Sequence, residues 1–474
     1  MLDERSIGTI VEEVLKKLRT SGVTSGFPSS SPSGRGSFGA IDEAVASAEA
    51  AQRGLVEIPL ETRKLIIEGM RKIACEHAEE LSRMALEETG LGRYEDKVKK
   101  NILAATRTPG VEDLEPEAVS GDHGLTIIER GPYGLIGSIT PSTNPSETVI
   151  NNSIGMVAGG NSVVFNPHPS AKLTTLRTID LLNSAIERGG GPANVLASIE
   201  SPTIESAQAL MKHPKVRLLV VTGGGAVVRE AMKSGKKVIA AGPGNPPVVV
   251  DETADLETAG RHIVDGASLD NNIVCVCEKE VLAVDGIVDR LKRSMIAAGA
   301  VEVRGADLEK LRSLVIQEDR GPSKHATTRR ELVGKDASQF LSAIGVRSET
   351  GPRLIICETP ASHNFVWTEL LMPILPIVRV PDVDTGIRLA KDVEQGFGHS
   401  AMMHSTNIAK LSQMARFIGT TIFVKNGPCY AGLGFGGEGY TSFTIASPTG
   451  EGLTSARTFT RMRKCVLVDY FRIV

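Results

Sequence analysis

Between about residues 125 and 250, short apolar runs alternate with helix-type patterns, and this alternation restricts the folds that are open to the chain. Strands are predicted at 125–132, 134–140, 162–165, 216–222 and 237–240, and helices at 147–157, 173–186 and 226–233. Apolar strands that alternate with helices form a mostly parallel sheet with helices on both faces. An α/β fold is therefore predicted.

A second α/β unit follows from about residue 246. Strands are predicted at 248–250, 281–284, 354–357 and 374–380, and helices at 256–268, 288–297 and 307–314. Residues 41–100 carry helical patterns, and the last residues, 457–474, alternate as a terminal strand. A chain of 474 residues exceeds one ordinary domain. We therefore divide it into domains at 39–245 and 246–440 and a C-terminal segment at 441–474, whose strand is expected to pair with another subunit.

The first 38 residues have a different character. Residues 1–19 contain an amphipathic helix whose apolar stripe consists of Ile7, Ile10, Val11, Val14, Leu15 and Leu18. Residues 20–38 are a flexible linker rich in Ser, Gly and Pro. So short a helix is marginal alone in water, so its stripe should find a surface. It packs either on its own body or in a groove of another protein, and the flexible tether favours the second.

Composition excludes several classes of function. A net charge of −3, 4% aromatic residues and one tryptophan argue against nucleic-acid binding. No apolar run approaches the roughly 20 residues that cross a membrane, and the N-terminus lacks a secretory signal. Six scattered cysteines suit a reducing cytoplasm and form no disulfide framework. Cys275 and Cys277 have no second Cys/His pair nearby, so no metal site is predicted.

Three polar segments could carry chemistry. Cys275 lies between an Asp270–Asn272 run and a strand, and is either a nucleophile, with its thiolate accessible near neutral pH, or a small buried hydrophobe. Residues 222–225 join a strand to a helix and are either a phosphate-binding turn or a packing turn. Asn144 follows a parallel strand, where open α/β sheets place ligands. Its amide either donates to an oxyanion or caps the following helix.

Together these segments resemble the aldehyde dehydrogenase superfamily in order and spacing over roughly residues 40–474. The matching segments are 131–134, 139–145, 163–167, 221–224, 242–244, Cys275 and 369–376. The Asp270–Asn272 run, Cys275 and residues 278–281 are similar to the CoA-acylating aldehyde dehydrogenases of bacterial microcompartments, of the propanediol- and ethanolamine-utilisation type. Residues 1–38 resemble the encapsulation peptide of those enzymes.

The resemblance implies an aldehyde-dehydrogenase-like α/β fold. Residues 39–245 would be a Rossmann-type NAD- and CoA-binding domain, residues 246–440 the catalytic domain, and residues 441–474 would contain an oligomerisation strand. The implied reaction is oxidation of acetaldehyde or propionaldehyde by NAD, with CoA as the acyl acceptor. The implied partner is a microcompartment shell protein, bound through the N-terminal helix. A homodimer or homotetramer in the lumen of a cytoplasmic microcompartment is expected.

Site residues are implied in the same way. Cys275 would form the thioacyl enzyme, and Asn144 with the Cys275 backbone N–H would hold the oxyanion. Glu369 would hold the nicotinamide ribose, and Thr222, Gly223 and Gly224 would face the pyrophosphate. The other residues expected at the cofactor are Thr140, Pro141, Asn166, Pro167, His168, Gly242 and Pro373. His168 is alternatively a surface-turn residue. Glu278 is expected to be structural rather than a base, and Cys277 to be buried, with a redox or back-up role as the alternative.

Two departures from hydrolytic relatives bear on the second half of the reaction. Ala241 stands where hydrolytic enzymes carry a glutamate that activates water, and water needs a base. A CoA thiol, with a pKa near the cysteine reference of about 8.5, is partly ionised already. A thiol acceptor is therefore predicted, with hydrolysis to the free acid as the alternative. Asn166 replaces a lysine found near the adenosine ribose in many members, and NAD is still predicted.

Overall fold

The computed structural model describes residues 34–348 and 351–473. Its helices are α1 (Ile41–Glu57), α2 (Leu60–Glu76), α3 (Ala78–Thr89), α4 (Tyr94–Arg107), α5 (Pro145–Ala158), α6 (Lys172–Arg188), α7 (Ile204–Lys212), α8 (Gly225–Met232), α9 (Leu256–Ala267), α10 (Val288–Ala297), α11 (Gly305–Val315), α12 (Ala337–Ala343), α13 (Val383–Val393) and α14 (Ile408–Ile418). The predicted helix in residues 1–19 lies outside the described residues, as does most of the predicted linker. Within the described ranges, no helix is long and apolar enough to cross a membrane.

The described residues contain all ten predicted strands and ten further strands that were not predicted. They are β1 (Ser37–Phe38), β2 (Glu117–Gly121), β3 (Gly124–Pro132), β4 (Leu135–Thr140), β5 (Ser162–Pro167), β6 (Leu196–Ile199), β7 (Leu218–Thr222), β8 (Lys237–Ala241), β9 (Pro247–Val250), β10 (Glu280–Val284), β11 (Ala300–Glu302), β12 (Ile316–Glu318), β13 (Thr327–Thr328), β14 (Leu354–Glu358), β15 (Ile374–Val380), β16 (Ser400–His404), β17 (Ile422–Lys425), β18 (Ile445–Ala446), β19 (Gly452–Leu453) and β20 (Thr460–Val468). Short 3₁₀ turns connect several of them.

The first sheet has six strands in the order β1-β6-β5-β4-β7-β8, and all its pairs are parallel. Adjacent residues of one strand enter different cores because side chains alternate between the faces of a sheet. Ile136 and Val163 pack in the core with α5 and α6, whereas Leu135 and Val164 pack with α1, α7 and α8. The prediction of a parallel sheet covered on both faces is confirmed.

Ser37 and Phe38 belong to this sheet and not to a linker. They form β1, and Phe38 pairs with Ile199 of β6. Just before them, Arg35 contacts Asp180 and Glu187 of α6. The prediction that the flexible linker extends to residue 38 is therefore wrong for its last residues, because a short parallel edge pairing orders them.

The second sheet has seven strands in the order β11-β14-β15-β10-β9-β16-β17, again with parallel pairs. β8 ends at Ala241 and β9 begins at Pro247, so the glycine- and proline-rich bend crosses directly from the first sheet to the second. The carboxyl ends of the first sheet's strands therefore meet the amino ends of β9, β10 and β15. The chemistry-bearing segments lie at these two edges.

A third, antiparallel sheet has the order β2-β3-β20. The predicted terminal strand is present as β20, and it pairs with β3 of the same chain, from Thr460 opposite Pro132 to Val468 opposite Gly124. The terminal strand is expected to pair with another subunit. In the structure, β3 of the same chain occupies one of the two hydrogen-bonding edges of β20. After Thr460, its side chains are exposed.

Candidate active site

Cys275 lies at the amino edge of the second sheet, in the loop between the 3₁₀ turn Leu269–Asn272 and β10, and is half-buried. The three residues Asp270, Asn271 and Asn272 all have positive φ values, of 47°, 56° and 66°. Asp and Asn adopt this left-handed conformation more readily than other side chains, but three in succession cost free energy. The surrounding contacts must therefore hold residues 270–275 in place, and this segment is called the nucleophile loop after the role predicted for Cys275.

Asp270 attaches the loop to α4. Its carboxylate accepts from the backbone N of Arg93 at 2.6 Å, from Lys97 Nζ at 3.0 Å and from Lys100 Nζ at 2.6 Å. The two lysine charges lower the pKa of this buried carboxyl despite its burial. Gly92 has a φ of 80°, and a Cβ there would overlap the Asp270 carboxylate. The close approach therefore requires glycine.

Asn271, Asn272 and Lys279 complete the support. Asn271 Nδ2 donates to the carbonyl of Gly334 at 2.9 Å, and Asn272 Nδ2 donates to the carbonyl of Ala267 at 2.7 Å. The buried Lys279 ammonium donates to Asn272 Oδ1 at 2.6 Å and to the carbonyl of Val274 at 3.4 Å. These bonds connect the strained turn to the residues around it, although Asn271 Oδ1 is buried without a partner.

The electrostatics at Cys275 differ from the sequence-based expectation of an accessible thiolate. Burial, and then the negative charge of Glu369, raise the pKa of its thiol to about 12, while Lys279 acts in the opposite direction. The thiol is therefore protonated at neutral pH, and its attack on a carbonyl requires a proton acceptor. Burial raises the pKa of the Glu369 carboxyl as well, so this carboxyl is a better acceptor than an exposed glutamate.

Asn144 ends the turn that follows β4 and precedes α5. Its side chain makes no capping hydrogen bond, so the interpretation as a helix cap is wrong. Instead Oδ1 accepts from Lys100 Nζ at 2.5 Å, and Nδ2 has one long bond, to Thr143 Oγ1 at 3.3 Å. An amide nitrogen has two N–H donors. Asn144 can therefore still donate to an oxyanion.

The carboxyl edge of the first sheet brings several expected cofactor residues together. Thr140, before Pro141, pairs with Pro167, and Ile139 pairs with Asn166 on the neighbouring strand. The Thr140 hydroxyl is buried without a hydrogen-bond partner, whereas Asn166 Oδ1 accepts from Ser206 Oγ at 2.6 Å. The unpartnered Thr140 hydroxyl could therefore form a hydrogen bond with a polar ligand at this end of the sheet.

The Thr222–Gly225 turn stands at the same edge, with Thr222 opposite Ala241. A Cβ on Gly224 would meet nothing within 4 Å, and one on Gly223 would touch only Val227. Neither glycine has positive φ. The packing-turn interpretation does not explain these glycines, and the open space before α8 fits a phosphate group that approaches the helix N-terminus.

The bend after Ala241 joins the two edges. Gly244 lies so close to the Cys275 carbonyl and to His399 that a Cβ would crowd both, and its N–H donates to Glu369 Oε1 at 3.3 Å. At Gly242, a Cβ would press on Pro448. Glu369, Gly244 and Cys275 are thus neighbours, as the sequence-based hypothesis required. The Ala241 methyl leaves this position without a carboxylate.

Two expected cofactor residues are not brought into this group by any described contact. The His168 ring is bonded to its own turn through Ser170, with Nδ1 2.7 Å from Ser170 Oγ, and residue 168 is exposed. Pro373 is buried before β15, where its carbonyl accepts from the N–H of Ile355. The surface-turn interpretation describes His168 better.

Three further residues near the site, His399, Lys97 and Lys100, were not predicted from the sequence. His399 is buried at the start of β16, with Nδ1 2.9 Å from Ser400 Oγ and Nε2 without a partner. Burial, and then Lys279, lower its pKa to about 4, so the imidazole is neutral at pH 7. A histidine in an apolar strand gives no signal in one sequence. Lys97 and Lys100 did give a signal, because charged residues on a buried helix need charged partners.

Cys277 and Glu278 point away from the cleft into the interior. Cys277 is fully buried, and its thiol donates to the Leu269 carbonyl at 3.7 Å. Burial raises the pKa of Glu278 to about 7, and its carboxylate accepts from the backbone N of Cys429 at 2.8 Å. Both placements agree with structural roles. Among the described residues, no cluster of His, Cys, Asp and Glu could hold a metal ion.

Comparison with known proteins agrees with this geometry. Acetylating acetaldehyde dehydrogenase EutE of Salmonella typhimurium is 50% identical over 476 residues, which are 100% of both chains. A crystal structure of Rhodopseudomonas palustris propionaldehyde dehydrogenase with bound CoA and an acylated cysteine is 50% identical, with a TM-score of 0.89, over 93% of this chain and 99% of that one.

A further relative comes from an organelle. The structure of a propionaldehyde dehydrogenase from the fucose-utilisation microcompartment of Clostridium phytofermentans is 46% identical, with a TM-score of 0.90, and the match covers 93% of this chain and 100% of that one. The model of the aldehyde dehydrogenase family matches residues 35–458. The chain therefore belongs to the aldehyde dehydrogenase family.

Proposed function

We propose that the protein oxidises a short-chain aldehyde with a nicotinamide dinucleotide and transfers the acyl group to CoA. The observation that carries the proposal is the grouping of Cys275, Gly244 and Glu369 opposite a sheet edge that ends in Ala241. The similar enzymes named as acetylating, and the structure with CoA and an acylated cysteine, support the acylating reaction over the hydrolytic alternative.

In this mechanism the Cys275 sulfur attacks the carbonyl carbon of the aldehyde. Asn144 Nδ2 and the backbone N–H of Cys275 hold the oxyanion, and the thiol proton passes to a neighbouring acceptor, for which Glu369 is placed. When bound, the dinucleotide would accept the hydride and the CoA thiol would take the acyl group from Cys275. Glu369 and the Thr222–Gly224 turn are proposed to hold the ribose and the pyrophosphate.

We include His399 as the proton acceptor for the CoA thiol. Its imidazole is neutral at pH 7, its Nε2 has no partner, and the ring packs against Gly244 beside the Cys275 carbonyl. A neutral imidazole has a nitrogen that can accept a proton, and the placement of the ring carries this assignment, because a pKa of about 4 makes His399 a weaker base than an ordinary histidine. With Ala241 in place of a water-activating carboxylate, this arrangement favours a thiol as the second nucleophile.

A small cavity favours a short acyl chain. It lies beside the nucleophile loop, has a volume of about 20 Å³, and is lined by Lys99, Lys100, Leu103, Leu269, Val274, Tyr430, Leu433 and Phe435. This is room for about one water-sized group. Acetaldehyde and propionaldehyde are the proposed substrates, because a methyl group fits this volume and each further carbon would require more displacement of Tyr430 or Phe435.

The experiment follows NADH with C2 to C4 aldehydes, with and without CoA. With CoA, acyl-CoA and NADH should form in equal amounts, and the C4 aldehyde should react more slowly. Without CoA, NADH should stop at a burst of about one per subunit, because the thioacyl enzyme has no acceptor. Cys275→Ala should abolish both phases. Steady NADH formation without CoA, with a free acid as product, would contradict the proposal.

We also propose a location for the protein, a shell protein as its partner, and an oligomeric state. The relative from a fucose-utilisation microcompartment supports placement in the lumen of such a cytoplasmic organelle, with residues 1–19 bound to a shell protein. Exposed apolar side chains along β20 support self-association as a homodimer or homotetramer.

A further inference from the structure

We propose that Lys100 is a positioning residue, which fixes the oxyanion donor Asn144 relative to the nucleophile loop. The inference rests on the proposed role of Asn144 but not on the identity of the acyl acceptor. Lys100 lies on α4, and its side chain is buried. Its ammonium donates to Asn144 Oδ1 at 2.5 Å and to Asp270 Oδ2 at 2.6 Å. One cation therefore contacts both halves of the site.

The bond to Oδ1 determines which end of the Asn144 amide faces the substrate. An ammonium has only donors, so it must face the carbonyl oxygen of the amide and directs the NH₂ group away from itself. Nδ2 then has only the long contact with Thr143, and its remaining N–H is available to an oxyanion. A charge-assisted bond also polarises the amide, which strengthens Nδ2 as a donor.

The bond to Asp270 fixes the nucleophile loop, which is the other half of the site. Asp270 begins the three-residue run of positive φ that leads to Cys275, and its carboxylate holds that run against α4. Lys100 also makes an ion pair with the buried Glu147 on α5, at 3.1 Å. Movement of α4, α5 or the loop would thus change the position of Asn144 relative to Cys275.

Lys97 provides a matched control. It is also buried on α4, one helical turn earlier, and its ammonium donates to the same Asp270 oxygen at 3.0 Å. Lys97 and Lys100 with Asp270 and Glu147 form a balanced group of two positive and two negative charges. Loss of either lysine leaves a buried carboxylate poorly paired, but only the loss of Lys100 removes the bond to Asn144.

The test measures the NADH burst in the absence of CoA, which reports acylation of Cys275 alone. The burst rate would report the role of Lys100 even if water, and not CoA, were the final acceptor of the acyl group. Removal of one oxyanion donor lowers a rate by about 10²- to 10³-fold. We expect Asn144→Ala to lower the burst rate by that factor, and Lys100→Met to lower it by about 10- to 100-fold with the KM for NAD unchanged.

Three further variants separate positioning from stability. Lys97→Met loses only a contact with Asp270 and should lower the burst rate by a clearly smaller factor than Lys100→Met, and Lys100→Arg should recover part of the lost rate. In the double variant Lys100→Met/Asn144→Ala, the loss beyond that of Asn144→Ala alone should be no larger than the loss in Lys97→Met, because only the contact with Asp270 then remains to be lost. Lys100→Met/Glu147→Gln keeps the buried charge balanced if Lys100→Met folds poorly, and should show the same loss.

Two results would overturn the proposal. One is equal burst rates for Lys97→Met and Lys100→Met, which would mean that both lysines only support Asp270. The other is a double variant whose loss is the product of the two single losses, which would mean that Lys100 acts independently of Asn144. Thermal unfolding of each variant identifies any loss that comes from an unfolded fraction.

Discussion

At the scale of single residues, Cys275 is kept unreactive until a proton acceptor takes part. Burial and the Glu369 carboxylate both oppose ionisation of its thiol, and Lys279 compensates only in part. Glu369 therefore suppresses the thiolate, and it is also the proposed acceptor of the proton when an aldehyde is attacked. Such an arrangement protects the nucleophile from adventitious oxidation, which follows thiolate character.

This leads to a prediction about alkylation. The rate of iodoacetamide reaction at Cys275 should rise about tenfold per pH unit from pH 8 to 10, because the thiolate reacts and the thiol pKa of about 12 lies above this range. Glu369→Gln removes a negative charge, lowers that pKa and should accelerate the reaction several-fold at pH 8. Mass spectrometry of the Cys275 peptide measures it.

The exposed Cys465 provides the internal control for that experiment, since its alkylation should be the same in both proteins. A Cys275 rate that falls, or stays equal, in Glu369→Gln would show that the carboxylate does not suppress the thiolate.

At the scale of elements, β20 is unusual because it is long and almost fully exposed. It pairs with β3 on one side, and Met462, Val466, Leu467 and Val468 are 62%, 54%, 45% and 59% exposed. Neighbouring Tyr470 and Phe471 are exposed as well. Edge strands with apolar side chains promote association unless they are covered. The sequence pattern predicted the strand, but its partner within the chain depended on where β3 lies.

We expect the double substitution Val466→Glu/Val468→Glu to reduce the assembly by at least one step, from tetramer to dimer or from dimer to monomer. The two valines lie two residues apart, so both charges enter one face and repel their counterparts across an interface. Sedimentation velocity at micromolar concentration measures the change.

Ile408→Glu, on α14, is the matched control because Ile408 is an exposed apolar residue outside this sheet, at 73% exposure. It should leave the sedimentation coefficient unchanged. A wild-type protein that is monomeric at these concentrations, or a double variant that assembles as before, would argue against association through β20.

At the scale of the whole molecule, strand ends of one parallel sheet lie near strand ends of the other. Residues proposed for the site lie at the carboxyl ends of β4, β7 and β8 and ahead of the amino ends of β10 and β15, and residues 242–246 connect the two sheets. The body that carries these elements begins at β1. All residues proposed for the site lie between positions 97 and 399, outside residues 1–19, so we expect the proposed chemistry and docking to be separable.

Removal of residues 1–19 should therefore leave kcat and KM within about twofold of the full chain, and should abolish co-purification with shell particles. The apolar stripe would supply the docking contact. The variant Val11→Asp/Leu15→Asp keeps the length of the segment and should behave as the truncation does. Unchanged co-purification of both proteins would refute the docking proposal, and a large loss of turnover would refute separability.

Sequence periodicity was enough to predict the two α/β units and most of their strands, because alternation of buried strands and helices is a local property. Strand ends and bends that can be recognised along the chain pointed to Asn144 and to the bend at residues 241–247, whereas the roles predicted for Cys275 and Glu369 came from the family resemblance. Asp270–Asn272 also contained a local signal, because Asp and Asn favour positive φ.

Other features depended on distant parts of the chain. The raised pKa of Cys275 comes from burial and from Glu369, which is 94 positions away along the chain and becomes a neighbour only after folding. Lys100 joins Asn144 to Asp270, and His399 reaches Gly244, through packing of separate elements. The sequence by itself therefore determined which local elements form and which residues could react. Only the tertiary structure decided their protonation and their partners, because Coulomb interactions and desolvation depend on distance in space.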